Sequence, residues 1–205
     1  MKKNLLFPTL TCLAVLLFPL FSAAAPGPME EVQSTVDSII ALLKRDDLSR
    51  EERKEKVGSM VRERFDFKTM SQGVLATNWK KATAEEKKQF TDLFSELLET
   101  TYRERINAYD NEEVRYLSEK IKGRKAVVET MVITTDVEIP VTYKLLNKGE
   151  SWRAYDVVVE GVSLVRNYRD SYREIVNKEG MTGLLAKMEK KIEELRTNPP
   201  EGSDK

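Results

Sequence analysis

The hydrophobic pattern changes period near Glu112, and this change constrains the fold more than any other feature of the sequence. Four runs follow, roughly 113–121, 125–134, 138–147 and 151–160, in which side chains alternate in character as in half-buried strands. They are separated by Gly123-Arg124, by Thr135 to Val137, and by Asn147-Lys148-Gly149-Glu150. Links this short leave no room for a crossover helix, so the runs predict an antiparallel meander. In the third run Ile139, Val141, Tyr143 and Leu145 share one face, with Pro140, Thr142 and Lys144 on the other. Val128, Thr130 and Val132 form the charge-free face of the second run, opposite Glu129. Strict alternation in the fourth run sets Tyr155, Val157 and Val159 inward and Asp156 outward, with Glu160-Gly161 ending the strand.

Helical spacing dominates on both sides of this block. Val32, Val36, Ile39, Ile40 and Leu43 mark a first helix over Met29 to Lys44, and Val57, Met60, Val61 and Phe65 mark a second. Short helical pieces follow, broken near Gly73. Thr83 with Glu86 three positions on is a capping box that opens the longest helix, about 84–108. Its apolar ridge is Phe90, Leu93, Phe94, Leu97, Leu98, Tyr102 and Ile106. Two helices near 163–177 and 180–196 close the chain before a polar tail over 198–205. The expected class is α+β: a curved four-stranded antiparallel meander covered by helices, a plan that can enclose an apolar ligand cavity. With no internal repeat, residues 25–197 read as a single domain.

The N-terminus has a short basic head, an apolar stretch from Leu5 to Phe21 and small residues at Ser22 to Ala25, which reads as a secretory signal peptide cleaved near Ala24. Pro8 and Pro19 interrupt the apolar run, which argues against a retained anchor, and Cys12 lies mid-run rather than at a lipoprotein cleavage site. Cleavage would remove Cys12, the one cysteine, leaving neither disulfides nor thiolate chemistry. The sequence contains no histidine, so Ser-His and Cys-His nucleophile systems are excluded and the commonest metal ligand is missing. Acidic and basic residues balance at 34 each and interleave along the chain, so no basic stripe points to nucleic acid.

The remaining candidates for chemistry are carboxylates. Asp156 and Glu160 on one strand would stand about 13 Å apart at about 3.3 Å per residue, beyond the roughly 5 to 9.5 Å of paired-carboxylate glycosidases. Only a sharp bend at Gly161 would bring Glu160 back. Tyr155 beside Asp156 suggests the tyrosine-plus-acid apparatus of a ketosteroid-isomerase-like cone, yet adjacent strand residues face opposite sides. Asp46-Asp47 and Glu85-Glu86 read as solvated helix termini, and no phosphate-binding glycine loop occurs.

The stretch "WRAYDVVVEGVSLVRNYRDSYREIVNKEGMTGLLAKM" resembles the MlaC, or toluene-tolerance, family of periplasmic phospholipid-binding proteins. The resemblance rests on Trp152, Tyr155-Asp156, Glu160-Gly161-Val162-Ser163 and the helix running to Gly180 and Leu184. Upstream, Phe65-Asp66-Phe67, Trp79, Ala82-Thr83, Phe90, Phe94 and Tyr102 are similar to the same family, with Ala76 where many members have glycine. The resemblance implies a soluble periplasmic shuttle, not an enzyme, with a phospholipid as bound ligand and no cofactor. It implies two partners, an inner-membrane ABC transporter complex with an MCE-domain subunit and an outer-membrane lipoprotein complex. It makes Tyr102, Val141 and Val162 the first choices for acyl-chain contacts. The inward faces add Phe94, Leu98, Val132, Tyr143, Tyr155, Val157 and Val159. An enzyme on the cone scaffold and a carrier of a hopanoid or sterol-like lipid are the alternatives.

Overall fold

The computed structural model describes residues 25–107, 112–149 and 151–198. The leader expected over 1–24 and the tail beyond 198 lie outside the described residues, as does the side chain of Ile106. Helices α1 (Pro28–Leu43), α2 (Arg50–Arg64), α3 (Phe67–Leu75), α4 (Thr77–Lys81) and α5 (Ala84–Asn107) precede the sheet. Strands β1 (Glu113–Lys122), β2 (Lys125–Ile133), β3 (Glu138–Asn147), β4 (Trp152–Val159) and β5 (Val162–Ser163) follow in a meander of order β1-β2-β3-β4-β5, with every pair antiparallel. Helix α6 (Leu164–Thr197) ends the described chain.

Local sequence explains where the helices begin. Pro28 occupies the first turn of α1 with Glu30 and Glu31, where a missing N–H is harmless and the helix dipole favours acids. Ser49 and Glu52 close a reciprocal box at α2, and Thr83 and Glu86 do the same at α5: the Glu86 carboxylate accepts from the Thr83 N–H at 2.7 Å, and Thr83 Oγ1 accepts from the Glu86 N–H at 3.1 Å. Asp66 caps α3 by accepting from the Thr69 N–H at 3.1 Å.

The break expected near Gly73 falls instead at Ala76, whose φ of 48° and ψ of −116° separate α3 from α4. Gly73 lies inside α3 for a packing reason. A Cβ there would meet Val165 Cγ1 at 2.7 Å, while Arg169 Nε donates to the Gly73 carbonyl at 2.7 Å, so α3 and α6 approach at this residue. The two closing helices form one run with a break at Gly180, where φ reaches 70°.

The fifth strand is the main addition to the expected sheet. Glu160 and Gly161, both at positive φ, form a two-residue turn between the paired Val159 and Val162. Positive φ at both central positions is the hairpin turn whose twist matches its strands. The turn folds Ser163 back beside β4, directly opposite Val158.

Among the described residues two apolar clusters form the core. The larger joins α3, α5 and α6 through Met70, Val74, Phe90, Phe94, Leu184 and Met188. The smaller lies between α1 and the sheet and contains Val32, Ala126, Val128, Leu145 and Trp152.

Candidate functional site

Cross-strand pairing defines one apolar face of the sheet. Val132 stands opposite Ile139, Thr130 opposite Val141, Val128 opposite Tyr143 and Ala126 opposite Leu145. On the far side of β3, Val141 faces Val159 and Tyr143 faces Val157. Directly opposed residues share a face, so Val132, Val141, Tyr143, Val157 and Val159 form one surface, as alternation predicts. Val141 and Val157 are buried, and α1 covers the neighbouring part of this face with Met29, Val32 and Val36.

Tyr155 departs from the expected facing. Lys144 pairs with Asp156, but the next residue, Leu145, pairs with Ala154, so Tyr155 is the extra residue of a bulge. Ala154, rather than Tyr155, continues the valine face. The Tyr155 ring packs against the helical cluster, with Lys125 Nζ 6.0 Å from its centroid. Phe94 and Leu98 are buried in that cluster, and Tyr102 packs on it. The candidate residues therefore fall into a sheet-face group and a helical group with Phe94, Leu98, Tyr102 and Tyr155. Val162 belongs to neither: it is 58% exposed at the sheet edge.

Asp156 corrects another expectation. It lies on the face opposite the valines, as alternation expects, but it is buried there and holds the start of α6. Its carboxylate accepts from Lys144 Nζ at 2.8 Å, Ser163 Oγ at 2.7 Å and the Val165 N–H at 3.1 Å. The bend at Gly161 thus returns Ser163 to Asp156, while Glu160 stays exposed. Three donors converge on a carboxylate at a helix N-terminus, an arrangement suited to fixing geometry.

Beneath α1 lies a cavity of about 40 Å³, lined by Val32, Val36, Phe65, Tyr143, Leu145 and Trp152 among others. Sequence reasoning gave Tyr143 an inward place but missed the contributions of α1 and Phe65. The signal was present in the helical spacing of Val32 and Val36, without anything to say which surface they cover. At the cavity's polar edge the buried Glu31 carboxylate accepts from Arg64 at 2.5 Å. Burial pushes the Tyr143 hydroxyl up to about 12. Burial would also raise Asp66, but hydrogen bonds from Lys148 and from the Thr69 side chain and backbone outweigh it and hold that carboxyl below its ordinary range.

Among the described residues no group of three His, Cys, Asp or Glu side chains is placed to hold a metal. No helix of the described residues is long and apolar enough to cross a membrane. The walls of the cavity are largely aliphatic and aromatic, a composition suited to sheltering hydrocarbon.

The chain is similar to several known proteins. The intermembrane phospholipid transport system binding protein MlaC of Haemophilus influenzae is 30% identical over 122 residues, 57% of this chain and 57% of that protein. The match thus spans a little over half of that relative's length. The toluene tolerance protein ttg2D of Pseudomonas putida is 26% identical over 173 residues, 80% of this chain and 79% of its own. Among solved structures, the phospholipid-binding protein from Ralstonia solanacearum, determined in complex with a phospholipid, superposes with a TM-score of 0.75 at 25% identity, covering 85% of this chain and 99% of that one. The MlaC family pattern matches residues 33–190, well over half of the sequence, and the chain belongs to the MlaC protein family.

Proposed function

We propose that this chain is a periplasmic phospholipid carrier, exported by a leader over 1–24 and folded as one domain over 25–197. The likeness to a protein solved with a phospholipid bound, extending over 99% of that protein, carries the reading. The carrier takes lipid between an outer-membrane lipoprotein complex and an inner-membrane MCE-domain ABC transporter, making and breaking no bond.

The energetics require a sheltered interior. Two sixteen-carbon acyl chains contain about 28 methylenes, and at about 0.8 kcal/mol each their exposure to water costs about 20 kcal/mol. Drug-sized ligand pockets run to roughly 300–1,000 Å³. The cavity beneath α1 has about 40 Å³, so loading separates α1 from the valine face of the sheet. Tyr143, Val141 and Val157 then line the acyl chains, joined by Val132 and Val159 from the same face. Phe94, Leu98, Tyr102 and Tyr155 form the helical wall, and Val162 lies at the mouth.

Native mass spectrometry of the gently purified protein tests this. A bound species with the mass of a diacyl phospholipid, released intact, is the expected result. Its absence overturns the carrier reading, a hopanoid mass replaces the ligand, and turnover of the lipid indicates an enzyme. Val162→Glu tests the mouth: the residue is exposed, so the fold is expected to persist while copurified lipid is lost. Unchanged occupancy removes Val162 from the lining.

A further inference from the structure

The sheet's second face joins a local basic cluster, Lys120, Lys122 and Lys125, to Lys144 and Arg153 from the following strands. One row across the strands reads Lys120, Val127, Lys144 and Asp156, and the next reads Lys122, Lys125, Leu146 and Arg153. Alternation along each strand turns these residues away from the valine face that α1 covers. Lys120, Lys122, Lys125 and Arg153 are exposed, and half-buried Lys144 completes a group of five cations. The single acid in these rows, Asp156, is buried and engaged by Lys144, Ser163 and the Val165 N–H. Among the described residues Lys120, Lys122 and Arg153 form no ion pair. Lys122 and Lys125 stand directly opposite one another, a like-charge pairing that disfavours the sheet. This concentration occurs in a chain with 34 basic and 34 acidic residues, and it is a property of these two rows at one end of the face, with exposed Glu129 in the adjoining row.

We propose that this basic sheet face adsorbs to the anionic phospholipid surface of a membrane leaflet. The composition favours a lipid surface over a packed protein interface. Four of the five cations are lysines, which act as hydrated point charges and are depleted from protein–protein interfaces, where arginine and aromatic anchors concentrate. None of the described aromatic side chains is exposed to serve as such an anchor. A diffuse layer of lipid phosphates needs no fixed partner geometry, and each Lys or Arg near it changes partition by on the order of fivefold. The inference goes beyond the carrier reading, because it concerns contact with a membrane surface rather than the enclosed lipid; the basic rows lie on the face opposite the valines, where Lys125 stands 6.0 Å from the Tyr155 ring.

The test is co-sedimentation of the purified protein with vesicles of phosphatidylcholine alone or mixed equally with phosphatidylglycerol, at low and high salt. Binding is expected only to the mixed vesicles and is expected to weaken with salt. The triple variant Lys120→Gln, Lys122→Gln, Arg153→Gln is expected to lose on the order of a hundredfold in partition, from three residues at about fivefold each. Lys178→Gln, Lys190→Gln, Lys191→Gln on α6 makes the same change in net charge on exposed side chains and is expected to retain binding. No binding to mixed vesicles, or equal loss in both triples, overturns the proposal. It is also overturned if the sheet triple keeps vesicle binding but loses cross-linking to an acidic envelope protein. Copurified lipid, measured in the same variants, is expected to be unchanged and reports separately on the carrier reading.

Discussion

Removal of the Asp156 carboxylate is expected to destabilise the fold by about 3 kcal/mol, because three donors converge on it in a buried position. In Asp156→Ala the Val165 N–H, at a buried residue, loses its acceptor, a loss of about 1–3 kcal/mol. The favourable charge at the α6 N-terminus disappears as well, at about 0.3–1 kcal/mol. The Lys144 contribution is small: its side chain is 35% exposed and its ammonium turns to water, so screening leaves it at most about 1 kcal/mol. Ser163 Oγ keeps its bond from the Arg166 N–H at 3.1 Å. Urea denaturation followed by circular dichroism measures the change, and a fall in Tm of about 6–12 °C accompanies it at this chain size. Asp156→Asn retains an acceptor for Val165 and is expected to lose about half as much, with Lys144→Gln least affected. The reasoning is refuted if Lys144→Gln destabilises as much as Asp156→Ala, or if Asp156→Ala changes stability by less than about 0.5 kcal/mol.

Other consequences concern strain and titration. Ala76 holds φ 48°, ψ −116°, a region that glycine adopts freely, so Ala76→Gly is expected to stabilise by about 1 kcal/mol, read as a higher urea midpoint at constant slope. Asp66 titrates below its ordinary value in the folded protein, so its contribution to stability is present above the unfolded value of about 4 and is lost as pH falls through the folded one. Lys148→Gln should flatten that acid limb of the stability profile; an unchanged limb would exclude the pair as its source. Tyr143 has a hydroxyl raised to about 12 by burial, so the unfolded chain releases its proton first, and stability should fall as pH rises from about 10. Tyr143→Phe should reduce that alkaline loss in the same denaturation assay.

Periodicity and capping chemistry made most of the secondary structure legible. The period change near residue 112 gave a meander whose β3 spans the expected 138–147, and the Thr83–Glu86 box set the start of α5 at Ala84. Those signals are local: side-chain alternation and an orphan helix N–H are settled within a few residues. Gly73 in isolation suggests a break between helices, but the break falls at Ala76, and the glycine answers the close approach of Val165 on a helix distant in sequence. The candidate site was legible only in part. Val132, Val141, Tyr143, Val157 and Val159 do share a face, but inclusion of Tyr155 required an unbroken register.

By itself the sequence determined the helix–meander–helix order, the absence of histidine chemistry and the apolar character of one sheet face. Tertiary structure decided which side of the sheet Tyr155 serves, because one inserted residue at the bulge resets alternation and depends on hydrogen bonds to β3, and it decided that Asp156 is buried. It also decided that α1 closes over the valine face, leaving about 40 Å³, and that Lys144 and Arg153 join Lys120, Lys122 and Lys125 on the reverse side. Both outcomes follow from register between segments far apart in the chain, and hydrophobic burial and charge spacing acquire a location only once that register is fixed.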